Sequence, residues 1–92
     1  MAVSGLTTVA AAGTAVALGS QSVQCPLMVK AIDTNTGIVY VGNDGAGDVA
    51  STNGVNLAAG EVVIFDHVGN LGSLMVDAAV NGEGVSWIML NV

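Results

Sequence analysis

The residues of this chain that could do chemistry are few and scattered. Its single histidine, His67, follows Asp66, and serines occur elsewhere, so the residue types of a hydrolytic triad are present. A nucleophilic serine also needs a sharp turn such as G-x-S-x-G, a base within hydrogen-bond distance and a group that orients the base. The sequence contains no such motif. We therefore interpret His67 as a turn residue and predict that the protein is not an enzyme.

Cys25 is the only cysteine, so it cannot form an intramolecular disulfide and the fold must depend on packing. In the strand predicted below it lies on the apolar face, where a free cysteine usually behaves as a small inert hydrophobe. One histidine and one distant cysteine also fall short of the ligand set of a tetrahedral zinc site. We predict no catalytic thiol, no cofactor and no transition metal.

A second candidate site is the glycine-rich segment of residues 42–48, which contains Asp44 and Asp48. It lacks the lysine and the following helix of a phosphate-binding P-loop, and it lacks the ligand spacing of an EF-hand. Oxygen-rich loops can nevertheless hold Ca²⁺. Asp44 and Asp48 are therefore weak calcium candidates, and the alternative interpretation is a plain turn.

The composition is apolar and acidic. Hydrophobic residues make up 52% of the 92 residues and charged residues only 9%, whereas an ordinary soluble domain has about 25% charged residues. The sequence has seven carboxylates and a single lysine, Lys30, with no arginine. It therefore lacks the clustered cations that bind a phosphate backbone or an anionic membrane. We predict neither a nucleic acid nor a membrane as partner. The apolar residues 1–18 are interrupted by polar residues and glycines and lack a positive n-region, so we interpret them as mature sequence and not as a signal peptide or membrane helix.

The length predicts one domain, residues 1–92, with residues 1–12 as a candidate extended arm. Apolar residues alternate with period two, which predicts strands over residues 6–10, 14–18, 23–32, 38–42, 61–66, 72–79 and 85–91. The alanines at 10–12 would also tolerate a helix. Several short strands joined by turns, without helical segments between them, predict an all-β fold: an antiparallel two-sheet sandwich of jelly-roll type.

Two connections are informative. Residues 33–37 read Asp-Thr-Asn-Thr-Gly, a turn sequence that predicts a hairpin between the strands at 23–32 and 38–42. Residues 42–60 are longer than an ordinary connection in a compact domain, which predicts a functional or contact loop. Val55 and Leu57 within it could form a short strand or anchor the loop to the core.

Two predicted strands are apolar on both faces: residues 62–65 read Val-Val-Ile-Phe, and residues 85–90 place Ile88 and Leu90 opposite the face of Trp87. A simple sandwich covers only one face of each sheet. We predict that another copy of the chain or a larger protein surface covers the second face, although neighbouring loops could also do so. The predicted interface residues are Tyr40, Phe65, Trp87, Ile88 and Leu90. The three aromatic residues could instead form a glycan-stacking platform.

Several short motifs together resemble small virion structural proteins of tailed bacteriophages, over most of the chain from Gly13 onward. The motifs are built from strand and turn residues, and they are residues 13–18 (Gly-Thr-Ala-Val-Ala-Leu), 29–31 (Val-Lys-Ala), 35–42 (Asn-Thr-Gly-Ile-Val-Tyr-Val-Gly), 53–54 with Leu57 and 60–61, 77–79 (Asp-Ala-Ala) and 81–87 (Asn-Gly-Glu-Gly-Val-Ser-Trp). The resemblance brings no catalytic residue with it.

The resemblance implies a place in the virion, at the capsid surface, after synthesis in the host cytoplasm. Proteins of this kind include capsid decoration or cement subunits, which bind the major capsid protein of the assembled head, often as homotrimers. They also include receptor- or glycan-binding modules of head or tail fibres. We predict the decoration role and keep the fibre module as the alternative.

Overall fold

The structure is a computed structural model that describes residues 4–23, 26–66 and 69–89. Ten strands and one short 3₁₀ helix fall within these residues. In chain order they are β1 (Ser4–Thr8), β2 (Val16–Ala17), β3 (Ser22–Val23), β4 (Leu27–Ala31), β5 (Val39–Gly42), β6 (Val55–Leu57), β7 (Val62–Phe65), β8 (Gly69–Asn70), the 3₁₀ helix Leu71–Ser73, β9 (Met75–Ala78) and β10 (Gly84–Met89).

Eight of the strands form two four-stranded antiparallel sheets. The first sheet has the order β1-β10-β4-β7 and the second has the order β2-β9-β5-β6, while β3 and β8 form a separate two-stranded ribbon. Apart from the ribbon strands β3 and β8, each strand is followed along the chain by a strand of the other sheet, except that β5 and β6 are consecutive in the second sheet. The fold is therefore all-β and sandwich-like, as the strand pattern predicts.

The core lies between the two sheets and follows from the alternation of side chains along each strand. In β4, Leu27, Val29 and Ala31 are fully buried while Met28 and Lys30 are half-buried. Val39 and Val41 of the second sheet belong to the same buried cluster. This alternation is the one predicted for residues 23–32, although in the structure β3 ends at Val23 and β4 begins only at Leu27.

The predicted hairpin at residues 33–37 is wrong, because β4 and β5 lie in different sheets. The turn residues bond to the β9–β10 connection and to β10, and not across a hairpin. The buried Asn35 side chain donates from Nδ2 to the Gly84 carbonyl over 2.9 Å. The Glu83 carboxylate accepts the backbone N–H groups of Thr36 at 2.7 Å and Gly37 at 2.9 Å. The segment is a crossover held by distant residues, which local turn propensity cannot reveal.

Other boundaries differ by a few residues. The segment predicted as a strand at 72–79 begins with the end of the 3₁₀ helix, whose Asn70 cap accepts the Gly72 N–H, and extends only from Met75. Within the loop at residues 42–60, Val55–Leu57 forms β6 and pairs with β5, as one of the two alternatives predicts. At the N-terminus, Ser4–Thr8 pairs along β10 as an edge strand of the first sheet.

Candidate protein-interaction surface

The strand registers bring several apolar side chains together on the outer face of the first sheet. Residues directly opposite one another in an antiparallel sheet share a face. One row across the sheet therefore consists of Ser4, Ile88, Met28 and Ile64, and the next consists of Leu6, Ser86, Lys30 and Val62. Five of these eight side chains are apolar. We call these eight residues the outer face.

Exposure shows that the described part of the chain leaves this face largely uncovered. Leu6 is 65% exposed, Ile64 is 57% exposed and Val62 is 46% exposed. Ile88 and Met28 lie between them and are half-buried. A shallow groove of about 250 Å³ runs over β1, β10 and β4, and Ser4, Met28, Ser86 and Ile88 are among its lining residues.

The outer face also contains Lys30, which is the only lysine or arginine of the protein. The Nζ atom of Lys30 lies 3.4 Å from the Asp33 carboxylate, and both side chains are open to solvent. An exposed pair of this kind contributes little to stability. Its effect is to neutralise the one positive charge of the face, so the surface is apolar and nearly uncharged.

The predicted interface residues that the structure describes do not share one surface. Ile88 lies on the outer face. Tyr40 is half-buried on the outer side of the second sheet, opposite Asp77 and Asn56. Phe65 points toward the core and packs against it. Leu90 lies outside the described residues, as do Cys25 and His67.

Trp87 is buried within this chain, with 7% of its surface exposed. Its indole lies over Gly5 of the neighbouring strand, where an added Cβ would come within 2.5 Å of the ring. The indole Nε1–H donates to Thr7 Oγ1 over 3.3 Å, and this hydroxyl donates in turn to the Leu18 carbonyl over 2.6 Å. Trp87 therefore joins the first sheet to the β2 end of the second, and its ring is not available as an exposed stacking platform.

Four of the five apolar members of the outer face are absent from the predicted interface: Leu6, Met28, Val62 and Ile64. Val62 belongs to the two-sided apolar run, so its exposure follows from that pattern. Leu6 is separated from Ile64 by 58 positions in the sequence. Only the order of the strands places them on one face, and no local signal could find that.

The loop with the calcium candidates is organised by its own side chains. Asp44 Oδ1 accepts the N–H groups of Ala46 at 2.7 Å and Asp48 at 3.3 Å. Asp48 Oδ1 accepts the N–H of Val49 at 2.8 Å. The bond from Ala46 to Asp44 makes an Asx turn, and the other two bonds also hold the loop by local contacts between carboxylates and backbone. Over the described ranges, no three His, Cys, Asp or Glu residues lie close enough together to hold a metal ion.

A second ordered carboxylate lies at the crossover. Besides the two backbone N–H groups, Glu83 Oε2 accepts the Thr36 hydroxyl at 3.0 Å. The backbone N–H groups of Thr36 and Gly37 lower the pKa of Glu83 below its ordinary value, and the Thr36 hydroxyl adds to this, because all three bonds favour the charged form. The arrangement holds the crossover segment 33–37 against the β9–β10 connection.

Within the three described stretches there is no helix of the length and apolar character that crossing a membrane requires. Comparisons with protein-family models, with curated proteins and with solved structures find no match to this chain.

Proposed function

We propose that this protein is a structural virion subunit, a capsid decoration or cement protein, that works by packing against other protein chains. The observation that carries the proposal is the outer face. Exposed apolar patches of this kind commonly mark protein interaction sites in soluble proteins. Among the described residues, three of the five exposed large hydrophobic side chains belong to this face: Leu6, Val62 and Ile64.

The strand order supports a jelly-roll topology within this proposal. Eight strands in two sheets, with the chain alternating between the sheets, correspond to the double-sheet arrangement found in viral capsid and lectin domains. Fold alone does not decide between those two classes. The buried Trp87 favours the capsid role, because a glycan platform needs an exposed aromatic ring.

A decoration subunit also gives a physical role to the low charge. In the proposal, the subunit forms a homotrimer at local threefold positions of the head and contacts the major capsid protein. The outer face is buried in these contacts. Because the subunit binds the assembled shell in preference to free capsid protein, binding stabilises the shell by mass action.

The test is co-sedimentation of the purified protein with shells assembled from the capsid protein encoded in the same genome. We expect saturable binding to shells and little binding to unassembled capsid protein. Val62→Ser should weaken shell binding by about tenfold or more, since it removes a contact of about 1–2 kcal/mol from the outer face.

Val55→Ser is the matched control. Val55 is 44% exposed and Val62 is 46% exposed, and both are strand valines, but Val55 lies on β6 in the second sheet. We expect Val55→Ser to leave shell binding unchanged. Equal losses in the two variants, or no saturable binding of the unsubstituted protein, would contradict the proposal. Binding of a sugar in place of shells would favour the fibre module.

A further inference from the structure

The free edge of the first sheet at β7 has backbone groups directed away from the sheet. On its inner side β7 pairs with β4, and in the described ranges no strand pairs with its other side. The Ala31 N–H donates to the Glu61 carbonyl over 2.9 Å, and the Ala31 carbonyl accepts from Gly60 over 3.1 Å. Both backbone groups of Ala31, its N–H and its carbonyl, are therefore directed toward the segment that leads into β7.

The alternation of an antiparallel ladder extends this pattern along the strand. Two and four residues beyond Glu61, Val63 and Phe65 direct their N–H and C=O groups to β4. Val62 and Ile64 therefore direct theirs outward, in the spacing that an added strand requires. The same two residues have exposed apolar side chains on the outer face.

The β7 edge has few of the features that usually keep an exposed edge from pairing. A bulge lies just before the strand, where Gly60 and Glu61 both bond to Ala31, but β7 itself contains neither lysine nor proline. Natural edges are protected by short length, lysine, proline or a bulge. The second sheet ends in β2, with two residues, and β6, with three. The opposite edge of the first sheet, β1, contains Gly5 and three hydroxyl residues. By contrast, β7 is an uninterrupted run of four apolar residues.

The charges at the two ends of this edge are mainly acidic, and the one cation beside it, Lys30 opposite Val62, is paired with Asp33. Glu61 precedes β7 and Asp66 follows it, and both are exposed. Asp33 approaches the same end as Glu61, since a Cβ on Gly60 would lie 3.1 Å from its carboxylate. A second copy paired along β7 would bring its own Glu61 and Asp66 close to these carboxylates, whereas a strand with basic residues at its ends complements the edge.

We propose that the β7 edge binds an extended segment of the shell protein, which adds a fifth strand to the first sheet. The segment has apolar residues opposite Val62 and Ile64 and basic residues at its two ends. Main-chain hydrogen bonds to Val62 and Ile64 supply affinity, and the side chains supply selectivity. This inference depends on the proposed function only for the source of the strand.

The test uses a synthetic heptapeptide with blocked ends, Lys-Thr-Val-Thr-Val-Thr-Lys. With its valines opposite Ile64 and Val62, its first lysine lies opposite Asp66 and its last lies beside the Glu61 end. Hydrogen exchange of the full-length protein, followed by NMR, reports each amide separately. In the free protein the amides of Val62 and Ile64 should exchange quickly and those of Val63 and Phe65 slowly.

We expect about 1 mM peptide to slow exchange at Val62 and Ile64 by about tenfold or more, with no change at Leu6 on the opposite edge. The same peptide with both valine nitrogens methylated should give no protection. A version with glutamates in place of the lysines should bind more weakly. Protection by the lysine peptide should also fall as ionic strength rises from about 0.01 to 1 M, where the screening length decreases from about 30 to 3 Å.

Three results would overturn the inference. They are unchanged exchange at Val62 and Ile64 with peptide, equal protection by the methylated peptide, and protection that appears without peptide as protein concentration rises. The last result would identify a second copy as the occupant. Normal co-sedimentation with shells alongside any of them would leave the proposed function standing, so the two failures are distinguishable.

Discussion

Trp87 shows how one residue links the sequence pattern to the packing of both sheets. Alternation along the last strand predicts that it shares a face with Val85 and Met89, and all three are buried. The sequence does not predict that its ring needs a glycine beside it. The close approach of Gly5 depends on the pairing of β1 with β10, which joins residues at opposite ends of the chain.

We expect Trp87→Ala to lower the free energy of unfolding by about 3–5 kcal/mol, because it removes a large buried aromatic ring. Trp87→Phe should cost less, since it keeps most of the ring and loses the bond to Thr7. Ile64→Ala, at a side chain that is 57% exposed, is the control and should cost less than either. Urea unfolding measures all three. A Trp87→Ala variant as stable as the control would contradict the placement of the ring in the core.

Glu83 predicts a pH dependence. Its pKa is lowered in the folded protein by the bonds to Thr36 and Gly37, so it contributes stability above the ordinary glutamate pKa. That contribution is lost as pH falls through the lower, folded-state pKa. Glu83→Gln should therefore be less stable than the unsubstituted protein at pH 7, and the gap should narrow below about pH 4.5. Thermal unfolding at both pH values measures this, and a gap that does not change with pH would contradict the assignment.

At the scale of the elements, sequence alternation was sufficient for the strands and insufficient for their pairing. The strand at β4 and its buried face follow from residues 23–32 alone. The segment at 33–37 has the composition of a hairpin turn, yet it crosses between sheets because Asn35 and Glu83 bind partners nearly 50 positions away. The same limitation applies to the outer face, since four strands from distant parts of the chain must pair before its residues meet.

Asn35→Ala tests the crossover. Asn35 is 9% exposed, and the substitution removes its bond to the Gly84 carbonyl, which keeps only the bond from the Ile32 N–H. We expect a loss of about 0.5–1.5 kcal/mol in the free energy of unfolding. Asn56→Ala, at an exposed position in β6, should change it by about 0.5 kcal/mol or less. Equal effects at the two positions would mean that the crossover bond does not stabilise the fold.

At the scale of the whole molecule, the chain has more apolar surface than a fold of its size can bury. A chain of 92 residues buries only about 60–65% of the surface that its unfolded form exposes. With 52% hydrophobic residues, apolar surface must remain outside the core. Composition predicts that such a surface exists. Its location on the first sheet, with Leu6 beside Ser86 and Ile64 beside Met28, required the registers of the strands.

The central claim is that this surface is covered by other protein chains, and the most direct measurement is the mass of the purified protein in solution. Multi-angle light scattering at micromolar concentration should give a single species of three times the 9.0 kDa chain mass. Substituting the outer face with Val62→Ser should shift this species toward the monomer, whereas Val55→Ser should not. A monodisperse monomer of the unsubstituted protein under these conditions would contradict the account.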